Sequence, residues 1–207
     1  MREPYPPLHR TLARIEELRE SCGLGRDEVF DTARLSYQTG VSEDGVRTLL
    51  DGQELNDQGA EARVRHRVTF LYESRRNGQG TSFDIREIAA AIGATTTWTR
   101  KLVTGEAKPS IVAGHDLAKF YGVSTGFLTD SPADALNREL QSVLFDLEVR
   151  ADPEKRLKDL GVAHIAGRTS EWSRDQLVEV TRMVASIAKD LQRVANTVAR
   201  MEQEEIR

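Results

Sequence analysis

Seven consecutive residues, Thr95, Thr96, Thr97, Trp98, Thr99, Arg100 and Lys101, have the types and spacing to meet a polyanion. Short hydroxyls come first and two cations follow one helical turn later. On a helix that starts near Thr95, the first residues would face base edges in a major groove, while hydroxyls and backbone amides meet phosphates. Arg100 and Lys101 suit a guanine edge or phosphate oxygens. Trp98 would contact a thymine methyl or stack on the sugar–phosphate backbone, or else pack against a neighbouring helix. Arg86 and Lys108 lie on either side as further phosphate contacts. The plainer account is that the threonines cap a helix and the bases are solvated. Charge and organisation decide between the two.

The charge is uneven along the chain. Its 207 residues carry 29 Lys+Arg and 33 Asp+Glu, a net −4. Residues 1–60 hold 7 basic against 12 acidic side chains, a net −5. Residues 61–130 hold 10 against 7, a net +3, and residues 131–207 hold 12 against 14, a net −2. The threonine–arginine run therefore sits in the only basic third, and local charge governs the meeting with a phosphate backbone.

Other chemistries find no constellation. His9, His66, His115 and His164 lie far apart, without metal-ligand spacing. No glycine-rich phosphate loop or dinucleotide fingerprint occurs, and no carboxylate pair stands out for acid–base work. The expectation is a protein that is not an enzyme, with no catalytic residues, no metal and no cofactor. The single cysteine, Cys22, excludes an intrachain disulfide and a cysteine zinc site, and implies a reducing compartment. No run approaches the apolar length of a membrane span, and MREPYPPLHR lacks the apolar core of a signal peptide. A cytoplasmic placement at the nucleoid, with no membrane partner, follows as an expectation.

The elements that would position the run are helices. Period-2 alternation is nearly absent and helix formers dominate, so the fold class read here is all-α. A repeat at an offset of 53 lays TGVSEDGVRTLLDGQ, from Thr39, over IGATTTWTRKLVTGE, from Ile92. Gly40 matches Gly93, Arg47 matches Arg100, Leu49 matches Leu102 and Gly52 matches Gly105. Upstream, Ile15 and Leu18 match Val68 and Leu71. In each copy a helix ends at a glycine, and Ser42 or Thr95 is placed to cap the next helix, which ends at a second glycine. That punctuation describes two tandem helix-turn-helix units. The second is complete, with five helices near 62–76, 85–92, 96–104, 110–121 and 124–128. The first is incomplete and acidic: Glu43, Asp44 and Gly45 stand where the second has Thr96, Thr97 and Trp98. Carboxylates there would repel phosphates, so this unit is expected to brace or to bind protein rather than enter DNA. Residues 56–76 are read as closing the first unit and opening the second, so that the two share a helix without a flexible linker.

The C-terminal third differs. Leu177, Val180, Val184, Ile187, Leu191, Val194, Val198 and Met201 recur at alternating steps of three and four, a heptad seam. Ser173 and Gln176 have capping-box spacing, with Trp172 and Leu177 as a hydrophobic staple. One helix of about thirty residues, about 45 Å long, is predicted. Residues 131–172 are read as short, interrupted helices unable to cover the seam. Dimerisation through those eight apolar residues follows, with small e and g positions suiting a bundle.

The stretch EIAAAIGATTTWTRKLVTGEAKPS, followed by DLAKFYGVSTGFLTD, resembles the XRE family of lambda-repressor-like helix-turn-helix domains. The resemblance rests on Ile88, Ala89, Gly93, Trp98, Leu102, Gly105, Pro109, Leu117, Ala118, Gly122, Val123 and Phe127. With DALNRELQ and GVAHIAGRTSEWSRDQLVEV, it extends to the actinobacterial EspR-like subgroup and covers about residues 63–200. It implies base contacts at Thr96, Thr97 and Lys101, backbone contacts near Thr95, Trp98 and Arg100, and dimerisation through C-terminal helices. Three features depart from it. Thr99 stands where the family has a buried aliphatic, Val103 replaces a frequent acidic residue, and residues 1–60 form an extra acidic unit.

The expectation is a homodimeric, sequence-specific regulator of transcription that binds double-stranded DNA. Residues 1–60 form a degenerate acidic unit, 61–130 the DNA-binding domain and 131–207 the helical dimerisation domain. Two other readings stay open: a nucleoid-associated, DNA-bridging protein, or an adaptor that binds a protein partner at its acidic N-terminal unit.

Overall fold

The computed structural model describes residues 5–56, 59–159, 173, 175–187 and 190. Every regular element among them is helical, and no strand occurs among the described residues. The chain is all-α.

Among the described residues, four helices precede residue 57: α1 (Leu8–Ser21), α2 (Arg26–Val29), α3 (Thr32–Thr39) and α4 (Glu43–Leu50). Side chains set their ends. Asp31 accepts from the Arg34 amide to start α3, and Ser42 accepts from the Gly45 amide to start α4. Between them Gly40 turns the chain at φ 69°, a left-handed conformation costly for a residue with a Cβ. α3 and α4 pack against each other, burying Leu35, Val46, Leu49 and Leu50.

α5 (Ala60–Ser74) starts and ends two residues earlier than the sequence reading placed it. After it come α6 (Ile85–Ala91), α7 (Thr96–Val103), α8 (Ile111–Tyr121) and a single 3-10 turn, Thr125–Leu128. Asp84, Thr95 and Ser110 cap α6, α7 and α8 through their side chains. Val68 and Leu71 of α5, Ile88 of α6, Leu102 and Val103 of α7, Leu117 of α8, and Phe127 with Leu128 form one buried cluster. Phe83, Phe120 and Tyr121 close one side in edge-to-face contacts with centroids 5.0–5.5 Å apart.

α5 also holds the α3–α4 pair. Arg75, at its C-terminal end, donates from Nη2 to the Tyr37 carbonyl at 2.9 Å and lies 3.5 Å from the Tyr37 ring centroid. Arg67, 1% exposed, donates from Nη1 to the carbonyls of Phe127 and Asp130. One buried arginine thus reaches the last turn of α3 and another the end of the 3-10 turn, where helix carbonyls need donors.

α9 (Pro132–Ala151) contains the stretch 134–149, read as the first of the short helices after residue 130, and is longer than that reading. It is a single helix of 20 residues, followed by α10 (Pro153–Asp159). Proline at the first position suits a helix start, and no glycine or proline interrupts the interior. A further helix, α11, covers 175–187.

Contacts divide the chain into two compact units. One is Met1–Arg14 with Arg26–Gln141, and the other is Ile15–Gly25 with Ser142–Arg207. Both helical pairs, α3–α4 and α6–α7, fall inside the first. In the second unit, Ile15, Leu18, Leu147, Val149, Leu157 and Leu177 are buried. Arg156 pairs with Glu148 at 3.1 Å and Arg182 with Asp146 at 3.4 Å.

Candidate nucleic-acid interface

The local sequence gives α7 two unlike faces. Thr95 stands before its first turn in extended backbone and accepts from the Trp98 amide at 3.3 Å. Gly93, at φ 63°, makes the turn from α6. Thr99, Leu102 and Val103 point inward and are buried. Thr95, Thr96, Thr97, Arg100 and Lys101 are all exposed. The structure thus leaves five of the predicted site residues exposed: Thr96, Thr97, Arg100 and Lys101 on one side of α7, and Thr95 just before it as the cap.

Three other predicted residues stand apart from that row. Trp98 is half-buried and packs against the apolar cluster, so its ring is largely committed to the core. Arg86 is exposed in the first turn of α6. Lys108, exposed between α7 and α8, forms an ion pair with Glu61 of α5. That ammonium, with a smaller contribution from Arg65, holds the Glu61 carboxyl below the usual carboxylate range. Sequence reasoning missed Glu61, because its partner lies 47 residues away and no local pattern joins them.

Thr99 occupies a fully buried position, where the resemblance implies an aliphatic side chain. Its hydroxyl donates to the Thr95 carbonyl at 2.9 Å, so the polar group is satisfied inside its own helix.

α4 has the same frame and the opposite charge. Arg47 donates to Glu43 at 2.9 Å and to Asp44 at 2.6 Å. The one cation that matches Arg100 in the repeat is therefore occupied by the carboxylates of its own first turn.

In the C-terminal seam, Ser173 and Gln176 form the expected reciprocal cap. The Ser173 amide donates to Gln176 Oε1 at 2.9 Å and the Gln176 amide to Ser173 Oγ at 3.3 Å. Along α11, Leu177 is buried, Val180 and Val184 are half-buried, and Ile187 is 53% exposed. Thr181, beside the seam, is fully buried, and its hydroxyl donates to the Leu177 carbonyl at 2.7 Å. Leu177 is thus covered within the single chain, whereas Ile187 and the neighbouring Met183 are open. Leu191, Val194, Val198 and Met201, and the staple residue Trp172, lie outside the described residues.

No group of three or more metal-ligating side chains occurs among the described residues. No helix among them is long and apolar enough to cross a membrane. Comparisons with family models, with curated proteins and with solved structures find no match to this chain.

Proposed function

We propose that the protein is a homodimeric, sequence-specific DNA-binding regulator of transcription of the XRE type, with α7 as the helix that enters the major groove. The observation that carries this reading is the open face of α7. It places Thr95, Thr96, Thr97, Arg100 and Lys101 together in solvent, in the only basic third of the chain. Threonine hydroxyls and the first amides of α7 meet phosphates, while Lys101 and Arg100 reach base edges or the backbone. Arg86 and Lys108 extend the phosphate footprint, Lys108 after it leaves Glu61. Two readers joined through the exposed part of the seam would recognise paired half-sites.

α3–α4 acts as a brace in this account. Its one matching cation is neutralised by Glu43 and Asp44, and α5 holds it through Arg75. The acidic residues 1–60 also favour a second reading, an adaptor that meets a protein partner there.

Purified full-length protein incubated with sheared genomic DNA, with sequencing of the retained fragments, tests the proposal. A few enriched sites that share a motif as paired half-sites are expected. Tight, salt-sensitive retention without a motif would replace the regulator with a nucleoid-associated protein. No retention at low salt would overturn DNA binding and leave the adaptor.

A further inference from the structure

The two matched helices differ in a way that a single covalent change would erase. α4 and α7 are each eight residues long. Each starts with a hydroxyl that accepts from the amide three residues on, Ser42 at 3.2 Å and Thr95 at 3.3 Å. At the offset of 53, Glu43 and Asp44 fall on Thr96 and Thr97, and Arg47 falls on Arg100. In α4 the two carboxylates accept from the Arg47 guanidinium at 2.9 and 2.6 Å. In α7 the same two positions carry hydroxyls, and Arg100 and Lys101 stand exposed.

Of the four threonines at the start of α7, two have committed hydroxyls. Thr95 caps the helix, and Thr99 is buried and donates to the Thr95 carbonyl. Thr96 and Thr97 are exposed. Thr97 stands three residues before Arg100 and four before Lys101, the two spacings that bring side chains together on a helix. It also holds the position of Asp44, whose contact with Arg47 is the shorter of the two in α4.

We propose that Thr97 is a phosphorylation site, and that its phosphate closes on Arg100 and Lys101 and so switches α7 off DNA. The switch rests on the DNA reading of α7. A nucleoside triphosphate is the donor and a serine/threonine kinase the catalyst. The bond from Thr97 Oγ to the γ-phosphorus forms as the bond to the leaving nucleoside diphosphate breaks, and the hydroxyl proton passes to the base of the kinase. Phosphothreonine carries about −1.5 to −2 charges near neutral pH, enough to offset both cations. The result is the arrangement that α4 carries permanently, a cation held by anions of its own first turn. The helix itself tolerates the group, because an anion in the first turn meets the positive end of the helix dipole.

Full-length protein carrying phosphothreonine at 97, made by genetic encoding, tests the pairing without DNA. Its phosphorus resonance should titrate at lower pH than in the same protein with Arg100→Gln and Lys101→Gln, and its melting temperature should be no lower than the parent's. Equal titration in the two folded proteins, or a lowered melting temperature, would overturn the pairing. If circular dichroism shows the double variant unfolded, Lys101→Gln alone takes its place with the same expected direction. Mass-spectrometric mapping of the full-length protein, recovered from its own cells in growth and in starvation, tests the modification. Phosphate on Thr97 in at least one state is expected, and none in either would overturn the site. On a duplex that the parent binds, the phosphorylated protein should bind at least about thirtyfold more weakly, with a salt slope lower by about two. Unchanged affinity would overturn the switch. A parent that binds no duplex would instead sink the proposed regulator. The first two readouts use no DNA, so they tell that failure from a failure of the site.

Discussion

Glu61 holds the cation that the DNA reading gives to a phosphate. Its ion pair with Lys108 is exposed, and such pairs are weak in water. DNA would therefore displace the carboxylate at small cost. Glu61→Gln should raise DNA affinity about two- to fivefold, because Lys108 no longer has to leave a carboxylate. Anisotropy titrations on one duplex measure this, and unchanged or weaker binding would remove Lys108 from the interface. The pair also carries a pH signature. The folded-state value of Glu61 is lowered, so its contribution to stability is present above the ordinary carboxylate range. It is lost as pH falls through the folded value. The melting-temperature difference between the parent and Glu61→Gln should therefore shrink in acid.

Thr99 is a second residue with a checkable account. The Thr95 carbonyl already accepts from the Thr99 amide at 2.9 Å, so the added hydroxyl bond can be removed without leaving a buried orphan. Thr99→Val should change unfolding free energy by less than about 1 kcal/mol. A larger loss in urea denaturation would mean that the hydroxyl has a role beyond its own helix. At this scale the sequence showed the caps well, because Ser42, Thr95 and Ser173 bond to amides three residues on. Arg67 and Arg75 were not legible as anchors. Their carbonyl partners lie 60 and 38 residues away, and an arginine in sequence reads as surface charge.

Two helical pairs are built on the same punctuation, but their turns differ in what surrounds them. Gly40 and Gly93 both have positive φ. A Cβ at Gly93 would meet nothing within 4 Å, whereas one at Gly40 would lie 2.8 Å from the Phe127 ring and 3.3 Å from Arg67 Cγ. Gly93→Ala should cost about 1 kcal/mol from backbone strain alone. Gly40→Ala should cost about 1–3 kcal/mol more, because a packed neighbour must also move. Urea midpoints compare the two directly, and equal losses would refute the close packing of the turn on Phe127. The repeat was visible in the sequence because turn glycines and caps are local. The stretch 134–149 was also read as a helix, but not the full length of α9, because polar residues such as Asn137, Arg138 and Glu139 dilute its apolar rhythm. Nothing in its interior breaks a helix, and packing sustains it across them. α2, four residues long, left no periodic signal at all.

For the whole molecule, the dimer reading now rests on a narrower surface. Leu177 and Thr181 are covered within one chain, so the described seam offers a partner chiefly Ile187, Met183 and the half-buried valines. Ile187→Glu should convert the dimer to a monomer while leaving the melting temperature within a few degrees, since the side chain is about half exposed. Light scattering after size exclusion reads the mass. An unchanged dimer would move the interface elsewhere. All-α architecture and the open face of α7 were legible because both follow from helical spacing and charge. The grouping into compact units was not, because it depends on contacts between distant segments.

The central claim is that α7 meets DNA. It is tested most directly by the salt dependence of duplex binding for the parent protein and Lys101→Ala, measured on one retained genomic fragment. If Lys101 contacts a phosphate, the variant binds more weakly and the slope of log affinity against log salt falls by about one. A changed base preference with an unchanged slope would instead place Lys101 on a base edge, still with α7 in the groove. Equal affinity, slope and preference in a folded variant would contradict the account.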